Sequence, residues 1–481
     1  MSSVLCHPLG PIPWALATDD GSLRKTNKST LAKELQKDVP AAEVIPNLSA
    51  CIIDGMAFVQ KLNGEQRTFT EIADALLSMI LREGASSSRI DVVFDVYRDL
   101  SIKNIERVKR GSCTGNVEYR NIKGDHQIRQ WKKFLCNPRN KTQLVAFLSQ
   151  EWQKDRCRER LAGKVLFTTT EETCIEIRED GVQVQNDLHS TQEEADTRLL
   201  LHAHHAARNG HDSVVISAED TDVFILCLAF KSFVPATMYF KCGTQARTRY
   251  VNITQVVERH GVGVCKCLPG LHAFTGCDSV SAFSGKGKLK ALKLAKGDQT
   301  IRQAFQQLGM EWEVSEELFS KLQQVTCQMY SPNPGTDDVN VLRYRLFCAR
   351  KGDIDSRLLP PCQDTLRNHC LRANFQAAVW RRSLQCAPTV PSPLESGWIQ
   401  EDDRLEPKWM NGEPAPQAVL ELLSCQCSRA CELPRCTCLS NGLRCTPLCK
   451  LVNCSNQRDE EEEEESQDEI DEESDDETEC D

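Results

Sequence analysis

The sequence predicts an α/β fold with a largely parallel sheet flanked by helices, followed by a helical extension, a small Cys-rich module and an acidic tail. Three observations predict it. Short apolar runs alternate with stretches of helical periodicity, several runs end in an acidic residue, and eight of the 25 cysteines crowd between Cys425 and Cys454. Taken in order, SACIIDGMAFV (Ser49 to Val59) opens with a buried-strand run. FTEIADALLSMIL follows, with Phe69, Ile72, Leu76, Leu77 and Ile80 at helical spacing. RIDVVFDV (Arg89 to Val96) is a second strand, and helices follow near 125–134 and 141–161. VLFTTT and CIEIRE-DG-VQVQ add strands, the latter a hairpin turning at Asp180-Gly181. TQEEADTRLLLHAHHAARNG is a helix stopping at Gly210, SVVISA a strand, and TMYF near Met238 another. Such alternation is the pattern of a parallel sheet with crossover helices. Residues 252–384 read as mostly helical, and a Pro-rich stretch then leads into the cysteines. The boundaries that follow are an N-terminal extension (1–48), an α/β domain (49–300), a helical extension (301–386), a linker (387–424), a Cys module (425–456) and a tail (457–481).

The formal charge of −11 comes from 58 basic and 69 acidic residues. From Asp459 onward there are 17 acidic residues and no Lys or Arg, leaving 58 against 52 before it, a net of +6. A like-charge run such as Glu460 to Glu465 cannot bury a core, so the tail is expected to be disordered beside a mildly basic body suited to an anionic partner. The longest apolar run, VFILCLAF, is far short of the roughly 20 residues a spanning helix needs, so no membrane partner is expected. The N-terminal residues lack the basic start of a secretory signal, which points to an intracellular protein. There thiols stay reduced, and the cysteines need an explanation other than disulfides.

The Cys module supplies one. CQCSRACELPRCTCLSNGLRCTPLCKLVNC has few large apolar side chains and needs a staple, and thiolate sulfur selects zinc. Cys425, Cys427, Cys431, Cys436, Cys438, Cys445, Cys449 and Cys454 suffice for two tetrahedral Zn²⁺ sites, or three ions with bridging thiolates. The spacing C-x-C-x3-C-x4-C-x-C-x6-C-x3-C-x4-C resembles the CXC domain of tesmin/TSO1-like proteins. It departs from that pattern in having Arg435 where a Tyr often stands, and in lacking a second terminal C-x-C. The resemblance implies contact with DNA, for which Arg435, Arg444 and Lys450 provide charge. The other reading of the module and tail is a surface for protein partners.

Acidic residues stand where strands and helices meet: Asp54, Asp95, Asp220 and Asp222 after strands, Glu194 and Asp196 at a helix start, and Asp278 in GLHAFTGCDSV. Asp220 and Asp222, read as extended chain, point to one side. Each alone is a plausible N-cap, and Ser190-x-x-Glu193 reads as a capping box. As a set they would repel unless divalent ions neutralise them, and hard oxygen ligands select Mg²⁺ or Mn²⁺. The chemistry that uses such a set is two-metal hydrolysis of a phosphodiester.

The set and its order resemble the flap endonuclease/XPG family of PIN-like 5′-nucleases over residues 49–300. IIDGMA looks like the family's first strand, VVFD its second, EEADTRLL its acidic helix, ISAEDTD its paired acids and TGCDS its last acid. The resemblance implies catalytic metal ligands at Asp54, Asp95, Glu194, Asp196, Asp220, Asp222 and Asp278, and cations for the scissile phosphate at Lys103 and Arg110. It implies that Gly285, Lys286, Gly287, Lys288 and Lys290 grip duplex backbone, that residues 111–161 arch over the site with Arg129, Trp131, Lys132, Lys133, Arg139 and Lys141, and that the substrate is branched or junction DNA. A nuclear location follows from DNA as partner. The chain departs from the family in its 48 leading residues and in Ser279, where an aromatic is usual. The alternative is a nucleic-acid or chromatin-binding protein, mobile-element-derived, that keeps the fold without the chemistry. Of His202, His204, His205 and His211, the first three fall on different faces of a helix, and all are expected to be solvated or partly packed, while Cys265, Cys267, His260 and His272 could form a small zinc site.

Overall fold

The computed structural model describes residues 2–46, 49–98, 101–103, 118–119, 121–243, 248–350, 355–401, 404–440, 444–446, 449–451 and 454–456. The chain divides into two compact units, the first ending at Gly412 and the second beginning at Glu413.

The first unit is a mixed α/β structure on an eight-stranded sheet. Its strands are β1 (Ser49–Asp54), β2 (Ser87–Val93), β3 (Val165–Thr170), β4 (Thr173–Ile177), β5 (Val182–Val184), β6 (Ser213–Ser217), β7 (Thr237–Cys242) and β8 (Arg249–Asn252), in the order β5-β4-β3-β2-β1-β6-β7-β8. The five central strands are parallel and the outer ones antiparallel. β1 is buried along almost its whole length because both its faces are covered, which is why its sequence is nearly all apolar. Period-two geometry sends Ala50 and Ile52 into one core with Val214, Ile216 and Leu199, and Cys51 and Ile53 into the other with Ile72, Leu76 and Leu148.

The helices that matter below are α1 (Ser29–Gln36), α2 (Gly55–Lys61), α3 (Phe69–Glu83), α4 (Trp131–Cys136), α5 (Pro138–Trp152), α6 (Ala195–Arg208), α7 (Thr221–Phe230), α8 (Ile253–His260), α9 (Val262–Phe274), α10 (Lys288–Gly297), α11 (Gln299–Gln307), α12 (Glu316–Tyr330), α13 (Val339–Ala349) and α14 (Gln363–Arg381). α3 opens on a reciprocal capping box, in which Thr68 Oγ1 accepts from Glu71 N and Glu71 Oε2 accepts from Thr68 N. The N-terminal residues are integrated into the first unit: Leu16, Leu31 and Leu35 are fully buried in the same core as α7, α9 and α10.

Several sequence expectations change. Ser190 and Glu193 form no capping box, since α6 begins at Ala195 and Glu193 instead accepts from Ser101 Oγ. Trp131 belongs to the core rather than to a nucleic-acid surface: it is 3% exposed, stacks on Phe134, and its indole N–H donates to Leu62 O at 2.8 Å. The Pro-rich stretch is anchored near its centre, where Trp398 is buried and Arg372 donates to Gly397 O and Lys408 O. His202 is neither solvated nor partly packed but wholly buried, bonded to Asp91 at 2.7 Å. No described helix is long and apolar enough to cross a membrane. The acidic tail lies outside the described residues.

Candidate active site and metal centres

The carboxyl ends of β1, β2 and β6 open toward the starts of α2, α6 and α7, and the acidic residues gather there. Asp54 ends β1 and caps α2, its Oδ1 accepting from Ala57 N at 3.1 Å. Asp95, just after β2, caps a helix not its own: its Oδ1 accepts from Ala195 N, the first residue of α6, at 2.8 Å. Glu194 sits at the N-cap of that helix and Asp196 in its first turn, both buried. Asp220 caps α7 by accepting from Asp222 N at 2.9 Å, so Asp222 occupies the helix's first turn rather than an extended strand. Capping and site-building are the same act here, because a helix N-terminus favours a carboxylate.

These side chains feel one another. Burial, then Asp95 and Asp196, push Asp54 up to about 7. Burial raises Asp196 to about 7 as well, with Lys103 opposing and Asp220, Glu194 and Asp222 adding to the rise. Burial and the neighbouring Asp222 raise Asp220, of which 37% stays exposed. Asp222 goes the other way. Burial acts against its charge, but Lys28 and His272 hold it well below the usual carboxylate range. Asp278 joins the group through Lys28, at 2.7 Å.

Two ammonium groups are set among the acids. Lys103 Nζ lies 2.9 Å from Asp196 Oδ2 and 3.2 Å from Glu194 Oε2. Lys28 Nζ reaches Asp222, Asp220 and Asp278. Asp196, Asp220 and Asp222 each offer an oxygen, all within 4.8 Å of one another, a group that could hold a metal ion. A buried set of hard oxygen donors with more negative than positive charge fits a hard divalent cation.

Three of the residues around these acids carried no usable sign in the sequence. Lys28 lies in the N-terminal stretch, remote from every motif. His272, which the sequence offers with His260, Cys265 and Cys267 as one candidate zinc site, instead bonds Asp222 Oδ1 through Nε2 at 2.8 Å, and no such Cys/His group occurs among the described residues. Gln376 on α14 donates to Glu194 and accepts from Ser279 Oγ, so Ser279 and Gln376 are part of the wall.

The predicted DNA grip changes in one residue. Gly285 adopts φ +63°, Gly287 caps α10, both are exposed, and Lys286 and Lys290 are half-buried. Lys288 cannot take part: it is 1% exposed, and its ammonium donates to His272 O, Thr275 Oγ1 and Gly276 O, sealing the end of α9. Arg110 lies outside the described residues, as do most of 99–120.

In the second unit, Cys425, Cys431, Cys436 and Cys445 form one four-sulfur group, and Cys425, Cys438, Cys445 and Cys449 another. The two groups share Cys425 and Cys445. Sulfur separations of 3.5 Å (Cys425–Cys431), 3.6 Å (Cys431–Cys445) and 3.8 Å (Cys436–Cys445) are too long for a disulfide. They match the edge of a tetrahedron with metal–sulfur bonds of about 2.3 Å, which is about 3.8 Å. Both groups could therefore hold metal ions, with the shared thiolates bridging. Cys454 is buried beside them, and Cys427 is half-buried outside both groups. Arg435, Arg444 and Lys450 are exposed.

No protein-family profile and no curated protein matches the chain. Among solved structures it is similar to the D15 protein of bacteriophage T5 co-crystallised with metal ions, at 14% identity and a TM-score of 0.33, covering 70% of this chain and 97% of that one. It is also similar to a variant of the bacteriophage T5 D15 flap endonuclease in a pseudo-enzyme-product complex with DNA and metal ions, at 15% identity and a TM-score of 0.30 over the same shares of the two chains.

Proposed function

We propose that the protein is a divalent-metal-dependent endonuclease that hydrolyses phosphodiester bonds in branched or junction DNA. The observation that carries this reading is the convergence of seven acidic side chains at one edge of the sheet, with Lys28 and Lys103 set between them. Asp54, Asp95, Glu194, Asp196, Asp220, Asp222 and Asp278 would hold Mg²⁺ or Mn²⁺. When bound, such ions supply a water nucleophile at neutral pH and stabilise charge on the phosphoryl group. The protein's own part is to fix the ligands: backbone N–H groups hold one oxygen each of Asp54, Asp95 and Asp220, and His272 holds Asp222. Lys103 is placed to take a phosphate oxygen, its ammonium kept charged by Asp196 and Glu194 against the effect of burial. The turn at Gly285 to Gly287, with Lys286 and Lys290, would meet duplex backbone without reading sequence. The second unit, whose thiolates would hold Zn²⁺, would add a salt-sensitive contact through Arg435, Arg444 and Lys450.

The test is cleavage of flap, splayed-arm and linear DNA in Mg²⁺ by the purified chain and by the Asp220→Asn/Asp222→Asn variant. The parent should cut the branched substrates, and the variant should lose at least about a hundredfold in rate, as removal of metal ligands does. Equal rates in the two, or tight DNA binding without cutting, would turn the reading toward a binding protein.

A further inference from the structure

The N-terminal segment delivers a cation of the protein's own into the carboxylate site. Lys28 Nζ stands 2.7 Å from Asp278 Oδ1, 3.1 and 3.2 Å from the two oxygens of Asp222, and 3.6 Å from Asp220 Oδ1. Four oxygens from three carboxylates thus surround one ammonium. A Mg²⁺ or Mn²⁺ ion on the same oxygens would need bonds near 2.1 Å and the same space. Asp222 is doubly committed, since its Oδ1 also accepts from His272.

The lysine is not on a loose strand. It directly precedes α1, whose Leu31 and Leu35 are fully buried with α7 and α10. The chain before it is hydrogen-bonded to the Asp278 loop on both sides: Ala282 N donates to Arg24 O at 2.7 Å, Ser284 N to Ala15 O at 2.9 Å, and Lys25 Nζ to Asp278 O at 2.8 Å. Swinging Lys28 out would leave Asp222, 2% exposed, without its main countercharge, the costly way to break a buried pair. Across the site the balance differs. Lys103 takes only one oxygen each of Glu194 and Asp196, so one ammonium is set among the four carboxylates of that side.

We propose that the Lys28 ammonium permanently fills one of two cation positions, so that the site takes a single divalent ion, on the side of Asp54, Asp95, Glu194 and Asp196. This rests on reading the carboxylates as the metal site of a nuclease, and replaces its second ion with a side chain.

The test counts ions in the zinc-loaded full chain by Mn²⁺ titration calorimetry and electron paramagnetic resonance, in which two adjacent Mn²⁺ ions give a coupled multiline spectrum that a lone ion does not. The parent and Lys28→Arg should bind one tight, uncoupled Mn²⁺, and Lys28→Met and Lys28→Gln should gain a second, coupled to the first. A coupled pair in the parent overturns the proposal, whether or not the neutral variants fold; so does a single ion in folded neutral variants. DNA cleavage in the same samples separates the two ideas: cutting by a two-ion parent sinks the role of Lys28 and keeps the nuclease, whereas a second ion gained in Lys28→Met without cutting by any sample does the reverse.

Discussion

Asp91 shows what a single buried charge costs and returns in this fold. It points from the middle of β2 into the sheet–helix interface, where Arg89 holds both its oxygens at 2.7 Å and His202 adds a third bond at 2.7 Å. Burial opposes its charge, but Arg89 and His202 outweigh that and lower it to about 2. A carboxyl lowered on folding contributes stability above its unfolded value near 4, and loses it as pH falls through the folded value. Asp91→Asn should therefore cost about 3–5 kcal/mol at pH 7 by leaving Arg89 buried and uncompensated. Between pH 4 and 2 the variant should lose less stability than the parent, and urea unfolding at both ends of that range measures the difference. Lys288 is the contrasting case: a lysine expected on a DNA-gripping loop lies inside, donating to carbonyls at the end of α9 rather than to a carboxylate, and burial lowers it to about 7.

At the scale of elements, the periodic signals worked wherever an element is shaped by its own burial. β1 and β6 were legible because strands covered on both faces read as apolar runs, β2 from its Val92–Val93–Phe94 end despite the buried Arg89–Asp91 pair, and α3 because its buried residues repeat at helical spacing. Boundaries failed where a distant residue did a local job. The Ser190–Glu193 pattern is a good capping box in isolation, yet Asp95 supplies the cap of α6 from another element, and sequence spacing holds no trace of that. At Thr68–Glu71 the box does form, while the carbonyls of His126 and Gly124 take the N–H groups of Phe69 and Thr70 beside it. Thr68→Ala should cost about 1 kcal/mol, readable as a drop in the denaturation midpoint at unchanged slope. Six of the site's acids were legible for a related reason: Asp54, Asp95, Glu194, Asp196, Asp220 and Asp222 stand at or just after a strand's end, at a helix cap or in a first helical turn, so position along the chain nearly fixes position in space, whereas Asp278 lies in the loop between α9 and α10. Lys28, His272 and Gln376 were not, because each meets its acid only through tertiary packing.

The whole molecule joins two units stabilised by different physics. The first has a large apolar core on both faces of its sheet, and the second, among the described residues, has almost none beyond its cysteines. Zinc binding and folding should then be one event in the second unit alone. A strong chelator should release at least two Zn²⁺ per chain and abolish the fold of residues beyond 413, while the main thermal transition of the first unit stays within a few degrees. Cys425→Ser, which removes a thiolate common to both sulfur groups, should lower the zinc content by more than one ion. Metal analysis beside calorimetry reads both effects.

The stitching of the N-terminal segment to the Asp278 loop also sets a timetable for synthesis. Lys25 and the carbonyl it bonds are 253 positions apart, so at about 5–20 residues per second the first part of the chain leaves the ribosome tens of seconds before its partner exists. Leu16, Leu31 and Leu35 must wait that long uncovered. The carboxylate site cannot close before Asp278 and the loop as far as Ser284 have been made.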